Sequence, residues 1–207
     1  LGEYMNDGYL KTLEAISSST PTPGGGAVAA LSLAHAISLA RMVARLTEGK
    51  EKWLTGHQAA NTLLEKTDGQ LELTLELARL DCEAFDRVME SYRLPKSTSS
   101  EIEFRTQSIQ LANLGATESP FRIISEALDF MRLLPPLADT CNSNAITDLG
   151  AASIMAHSAI RIGALNVQIN LGSIGNPATQ FQIDTQNICT EADGLADRLA
   201  SVVSNRM

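Results

Sequence analysis

Residues Ser19–Thr47 read "STPTPGGGAVAALSLAHAISLARMVARLT". Two prolines lead into Gly24, Gly25 and Gly26, and those lead straight into an apolar run. From Ala27 to Thr47 the side chains are small and apolar on almost every face. A helix of that kind belongs in the middle of a bundle, where no side meets water. The glycines at its mouth are therefore the puzzle. Gly costs about 1 kcal/mol relative to Ala within a helix, and Pro about 3. Gathering them here points to a constraint other than local stability. Two readings fit: bare backbone N–H groups offered at a helix start to an anion or a polar ligand edge, or a crowded approach where no Cβ fits.

Outward from this stretch the chain keeps helical period. Tyr9–Ile16 forms a short amphipathic helix that ends in "SSST" and the prolines. A long segment covers Glu51–Tyr92, with Gly56 or Gly69 as places for a kink. Its second half carries Leu71, Leu75, Ala78, Cys82, Phe85, Met89 and Tyr92 at alternating spacings of four and three, a heptad seam. Pro95 ends it, because the residue before a proline avoids the helical region. Helical pattern resumes over Ser100–Leu114, breaks at "GATESP", runs over Pro120–Leu134 to the Pro135-Pro136 pair, and continues briefly over Leu137–Thr140. Long helices are expected over Ile146–Leu171 and Ala178–Val203. Period-two runs of β-branched residues and hairpin turns are missing. The expectation is an all-α chain, an up-and-down bundle of five to six long helices forming a single domain over residues 1–207.

Composition narrows the function. The chain has 207 residues, a formal net charge of −8 and only 4% aromatic residues. The acidity argues against nucleic acid as a partner, since phosphate neutralisation needs a basic surface. A small anionic ligand needs only a local basic cluster. Cys82, Cys141 and Cys189 are widely spaced and odd in number, which suits free thiols in a reducing, cytoplasmic compartment. His35, His57 and His157 lack metal-ligand spacing, so no metal site is expected. The most apolar run, Gly26–Ala40, stops at Arg41, short of the ~20 residues that span a bilayer. No membrane partner is expected.

The glycines sit in neither a P-loop nor a dinucleotide fingerprint, both of which need a preceding strand. Several blocks together, however, resemble one family. These are "PTPGGGAVAAL" (Pro21–Leu31), "MVARLTEGKEKW" (Met42–Trp53), "DCEAFDRVMESYRLPK" (Asp81–Lys96), "NSNAITDLGAA" (Asn142–Ala152) and "NVQINL" (Asn166–Leu171). In this order they are similar to the formiminotransferase-cyclodeaminase C-terminal family, which includes methenyltetrahydrofolate cyclohydrolases and formiminotetrahydrofolate cyclodeaminases. The resemblance implies an all-helical homodimer acting on the one-carbon unit of a reduced folate, with no cofactor beyond the tetrahydrofolate substrate. It also implies a folate site at or near Gly24, Gly25 and Gly26.

Both reactions pass through a tetrahedral carbon between two nitrogens and need a positioned acid or base. Asp81 shares a helix flank with Leu77, Ala84 and Val88; a carboxylate on an apolar stripe is either paired or functional. Lys96, in the loop after Pro95, is a candidate for proton transfer or for the folate carboxylates. Lys50 and Lys52 are candidates for the glutamate tail, or a solvated face. Asp148 heads a long helix behind Asn142 and Asn144, where the helix dipole favours a carboxylate. It suits a base or a pterin acceptor; capping is the alternative. Asn166 and Asn170 lie one turn apart, as ligand contacts or as a structural pair between helices. Eighteen residues separate Asp148 from Asn166, about 27 Å along a helix, so one protomer cannot bring them to the same atom. Tyr92 is the best-placed ring for stacking, but core packing is its expected role.

Overall fold

A computed structural model describes residues 8–207, which are helical almost throughout with no strand among them. Helix α1 covers Tyr9–Ile16, α2 Gly25–Glu48, α3 His57–Lys66 and α4 Gln70–Arg93. Helix α5 covers Ser99–Arg132, α6 Leu134–Thr140, α7 Ile146–Asn170 and α8 Ala178–Arg206.

Helix α2 is the axis of the molecule. Ala27, Ala29, Ala30, Leu33, Ala36, Ile37, Ala40, Val43 and Ala44 are buried along it. Alanine lets neighbouring backbones close in, and α7 answers with Ala152, Ala156, Ala159 and Gly163, all buried. A methyl built on Gly163 would collide with Ile124 of α5. The two axial helices run antiparallel: Gly25 meets Asn166 at one end, and Asn142 donates its N–H to Thr47 Oγ1 (3.0 Å) at the other. By length and composition α2 would cross a bilayer, since it runs 24 residues rather than stopping at Arg41. Here it is the packed centre of the bundle, and Arg41 bonds Leu64 O and Thr67 Oγ1 at 3.0 and 2.8 Å.

Several boundaries differ from the sequence expectation. The segment expected over Glu51–Tyr92 is three pieces: a 3₁₀ turn at Glu51–Gly56, then α3, then α4. Gly69 makes the last break at φ +71°, a left-handed conformation that favours glycine. Helix α5, by contrast, is unbroken through "GATESP" and Pro120. A proline there removes the N–H that would bond the carbonyl of Ala116, four residues earlier. Asn170 supplies the missing donor: its Nδ2 reaches Ala116 O at 2.8 Å. Helix α5 ends at Arg132, two residues before the expected Leu134, and Pro135 and Pro136 sit in the first turn of α6, where their missing N–H groups cost nothing.

The heptad seam of α4 is a larger correction. Leu75, Phe85, Met89 and Tyr92 are exposed. The buried stripe is Thr74, Leu77, Ala84 and Ser91, the flank that carries Asp81. Tyr92, expected in the core, lies 51% exposed beside the guanidinium of Arg105.

Candidate functional site

The crowded-approach reading of the glycines holds at Gly26, and Gly24 and Gly25 are the positions left to the ligand reading. Gly24 is extended (φ −110°, ψ −158°) and starts α2 without any side-chain cap. The first-turn N–H groups therefore have no intrahelical partner. Gly26 is buried, and a methyl there would land on the carboxyl group of Asp81. Gly25 is exposed, and a methyl there would sit 3.0 Å from Asn166 Nδ2. Packing demands Gly26, while Gly25 keeps a backbone face open between Asp81 of α4 and Asn166 of α7.

Burial pushes the Asp81 carboxyl above its ordinary range, because water no longer solvates the anion fully. The backbone N–H of Ala27 and the hydroxyl of Ser119 in α5 pull it part of the way back. The result is a carboxyl set at the positive end of a helix, between open N–H groups and a side-chain amide. Such a group accepts or donates a proton more readily near neutral pH than a solvated aspartate does.

One turn along α2 from Gly25, Val28 opens a groove of about 630 Å³ lined by Tyr9, Leu13, Leu31, His35 and Met155. Tyr9 meets His35 edge to face at 5.9 Å. This groove offers an apolar, ring-bearing wall that runs toward the glycines. Neither Tyr9, His35 nor Ser119 stood out in the sequence. The signal for His35 was its spacing: Gly25, Val28, Ser32 and His35 share one face of α2.

The other candidates lie elsewhere. Asn170 is on the same end, but its amide donates to Ala116 O and Asn166 O, which marks it as a tie between helices. Asn166 Nδ2 donates back to Ile162 O at 2.9 Å and is the atom nearest a methyl built on Gly25, with the carbonyl oxygen next at 3.5 Å. Lys96 is exposed, fifteen residues beyond Asp81 along α4 and the turn that follows. Asp148, Asn144 and Lys50 gather at the far end of the bundle, Asn144 and Lys50 exposed and Asp148 half-buried. One protomer thus brings together Gly24–Gly26, Asp81 and Asn166, and separates them from Asp148 and Lys96.

An all-helical bundle with a half-buried carboxyl against a glycine-opened helix start defines a class: a helical protein with a candidate acid–base site at a backbone N–H cluster. The chain belongs to the formiminotransferase-cyclodeaminase family, whose model matches residues 9–187. It is 34% identical over 200 residues to the methenyltetrahydrofolate cyclohydrolase of Methylorubrum extorquens, covering 94% of this chain and 95% of that protein. It is 26% identical to the formimidoyltransferase-cyclodeaminase of Gallus gallus, covering 86% of this chain but only 32% of that longer protein. The solved formiminotetrahydrofolate cyclodeaminase of Thermotoga maritima superposes with a TM-score of 0.79 at 26% identity, covering 93% of each chain.

Proposed function

We propose that this chain is a folate one-carbon enzyme that hydrolyses 5,10-methenyltetrahydrofolate to 10-formyltetrahydrofolate, and that the reaction takes place at the glycine end of α2. The observation that carries the placement is the Asp81 carboxyl held against Gly26, with Asn166 across the open face of Gly25. The likeness to the Methylorubrum cyclohydrolase over nearly the whole of both chains supports the choice of reaction.

The chemistry follows from that geometry. Water adds to the methenyl carbon, and Asp81 takes one of its protons as the C–O bond forms. The C–N5 bond of the tetrahedral adduct then breaks. N5 receives a proton, the hydroxyl loses one, and the formyl group stays on N10; one proton is released overall. A base raised above the ordinary carboxylate range holds the water proton better than a solvated aspartate. The Gly25 and Gly26 N–H groups and the Asn166 carbonyl offer donors and an acceptor for the pterin edge. The groove of Tyr9 and His35 takes the aryl portion, and the free thiols suit a cytoplasmic enzyme.

A second reading, favoured by the Thermotoga structure, is cyclodeamination. There N10 attacks the formimino carbon on N5, N10 loses its proton, the departing nitrogen gains one, and ammonia leaves. The same carboxyl serves both. The deciding experiment follows methenyltetrahydrofolate absorbance with purified protein against the spontaneous rate in the same buffer. Decay well above background is expected. Background decay, with methenyl formation and ammonia release from formiminotetrahydrofolate, would assign the cyclodeaminase instead.

The exposed seam of α4 also supports a homodimer. Phe85 and Met89 stand 38% and 39% exposed on a face patterned for another helix. Sedimentation should give twice the chain mass, and Phe85→Glu with Met89→Glu should give the monomer.

A further inference from the structure

Serine and threonine hydroxyls inside helices commonly bond back to the carbonyl four residues earlier. This chain does so repeatedly. On α5, Thr117 Oγ1 bonds Asn113 O at 2.9 Å and Ser125 Oγ bonds Phe121 O at 2.9 Å. On α2, Ser32, Ser38 and Thr47 do the same. Ser119 does not. Its hydroxyl oxygen is sealed from solvent without a hydrogen bond of full geometry. A buried hydroxyl left in that state costs free energy, so the arrangement calls for a reason.

The surroundings supply one. Ser119 immediately precedes Pro120 on α5, which runs antiparallel to α4: Ile123 shares a buried cluster with Leu77, and Arg105 meets Tyr92. Asp81, one turn on from Leu77, is therefore level with Ser119, one turn back from Ile123. Its hydroxyl lies near enough to the carboxyl to draw the anion's energy down. The other groups that act on Asp81 are uncharged: α2 offers Gly26 and the Ala27 N–H, while Asn166 of α7 meets the neighbouring Gly25. On its own helix the next residue is Cys82, a thiol that feels the Asp81 charge. Arg122, one turn along α5, acts on Glu76.

We propose that Ser119 is a positioning residue: its sealed hydroxyl is a donor held in reserve for Asp81, engaging the carboxylate in its ionised state and fixing which oxygen faces the substrate. This rests on the reading that Asp81 acts at the reacting carbon.

Ser119→Ala removes the donor without adding bulk, and Ser119→Thr keeps a hydroxyl. In Ser119→Ala the acid limb of kcat/KM should move to higher pH, because the carboxylate loses a stabilising donor. Turnover below that limb should fall about ten-fold, the size of one hydrogen bond to a charged group. KM for methenyltetrahydrofolate should stay within about two-fold, since the serine does not hold substrate, and Ser119→Thr should recover most of the loss. A carbon-13 NMR titration of the Asp81 carboxyl, assigned with Asp81→Asn, separates this idea from the proposed activity. An upward shift of its titration in Ser119→Ala supports the positioning role even where no folate turns over. An unchanged titration overturns it, and so does an unchanged pH profile in an active enzyme.

Discussion

The two ends of α2 are built from similar materials and finished in opposite ways. At the C-terminal end, the buried polar side chains Thr47 and Asn142 are both hydrogen-bonded. Thr47, fully buried, donates to Val43 O at 2.8 Å and accepts the Asn142 N–H at 3.0 Å. Asn142 in turn donates its amide to Leu46 O and accepts the Asn144 N–H. Gly56 fits there because a methyl would strike Thr140 O and the Thr47 methyl. At the N-terminal end, the residue that starts α2 has no side chain to cap it, Asp81 is pushed toward its neutral form, and the sealed Ser119 hydroxyl lacks a hydrogen bond of full geometry. Native proteins satisfy buried polar groups unless something other than stability is selected. The closed end reads as scaffold, and the open end is the one proposed to have its bonding completed by a ligand.

Asp81→Asn should show the largest effect. Losing the acid–base group should cut turnover by about 100-fold or more, while reduced-folate binding stays measurable. Its effect on stability should have the opposite sign. The folded carboxyl titrates above its unfolded value, so its contribution is fully present below the unfolded pKa and is lost as pH rises through the folded one. At pH 7 the charged Asp81 is therefore a burden, and the isosteric amide relieves it. Thermal melts should place Asp81→Asn above the parent at pH 7, with the gain shrinking as pH falls through the folded pKa and gone below about 4, the unfolded value. A variant that is inactive and less stable at pH 7 would make Asp81 a structural partner, and the contrast between the ends would fail.

Two tie residues, one at each end, should give intermediate effects. Thr47→Ala leaves the Asn142 N–H without its acceptor, and Asn170→Ala strands the carbonyl that Pro120 leaves unpaired. Each should cost about 1–3 kcal/mol in urea unfolding. Only Asn170→Ala should also lower turnover, because Asn170 bonds the backbone of Asn166 and so sets the open end. Equal turnover losses in the two variants would mean that stability alone is being read.

The helical class, the central place of α2 and the special status of the glycines were legible because they depend on local pattern. What depends on tertiary partners was not. Pro120 reads as a helix break until Asn170, fifty residues away, supplies a donor to Ala116. The regular heptad of α4 reads as core, yet the flank with one aspartate in it is the buried one. Hydrophobic spacing marks a face for burial without saying whether the same chain or another covers it. Asp81 was legible as an oddity on an apolar stripe. Ser119 was invisible, because a serine in a helix ordinarily bonds to its own backbone, and only the fold shows that this one does not.

Asp148→Asn should have the smallest effect, and it bears most directly on where the site is. Asp148 lies half-buried in the first turn of α7, where a carboxylate meets the positive end of the helix. Neutralising it should remove about 0.3–1 kcal/mol of that interaction. Turnover should stay within about two-fold, because roughly 27 Å of helix lies between Asp148 and Asn166. If turnover instead collapses while the melt barely moves, Asp148 touches substrate, and no single protomer then assembles the site. The partner subunit would have to lay its far end against the glycines, a geometry in which the exposed α4 seam is the natural contact. In that case Phe85→Glu with Met89→Glu should abolish turnover along with the dimer. Under the single-protomer site those substitutions should lower turnover far less than they lower assembly, so the two measurements together assign the reaction to one end of α2 or to both.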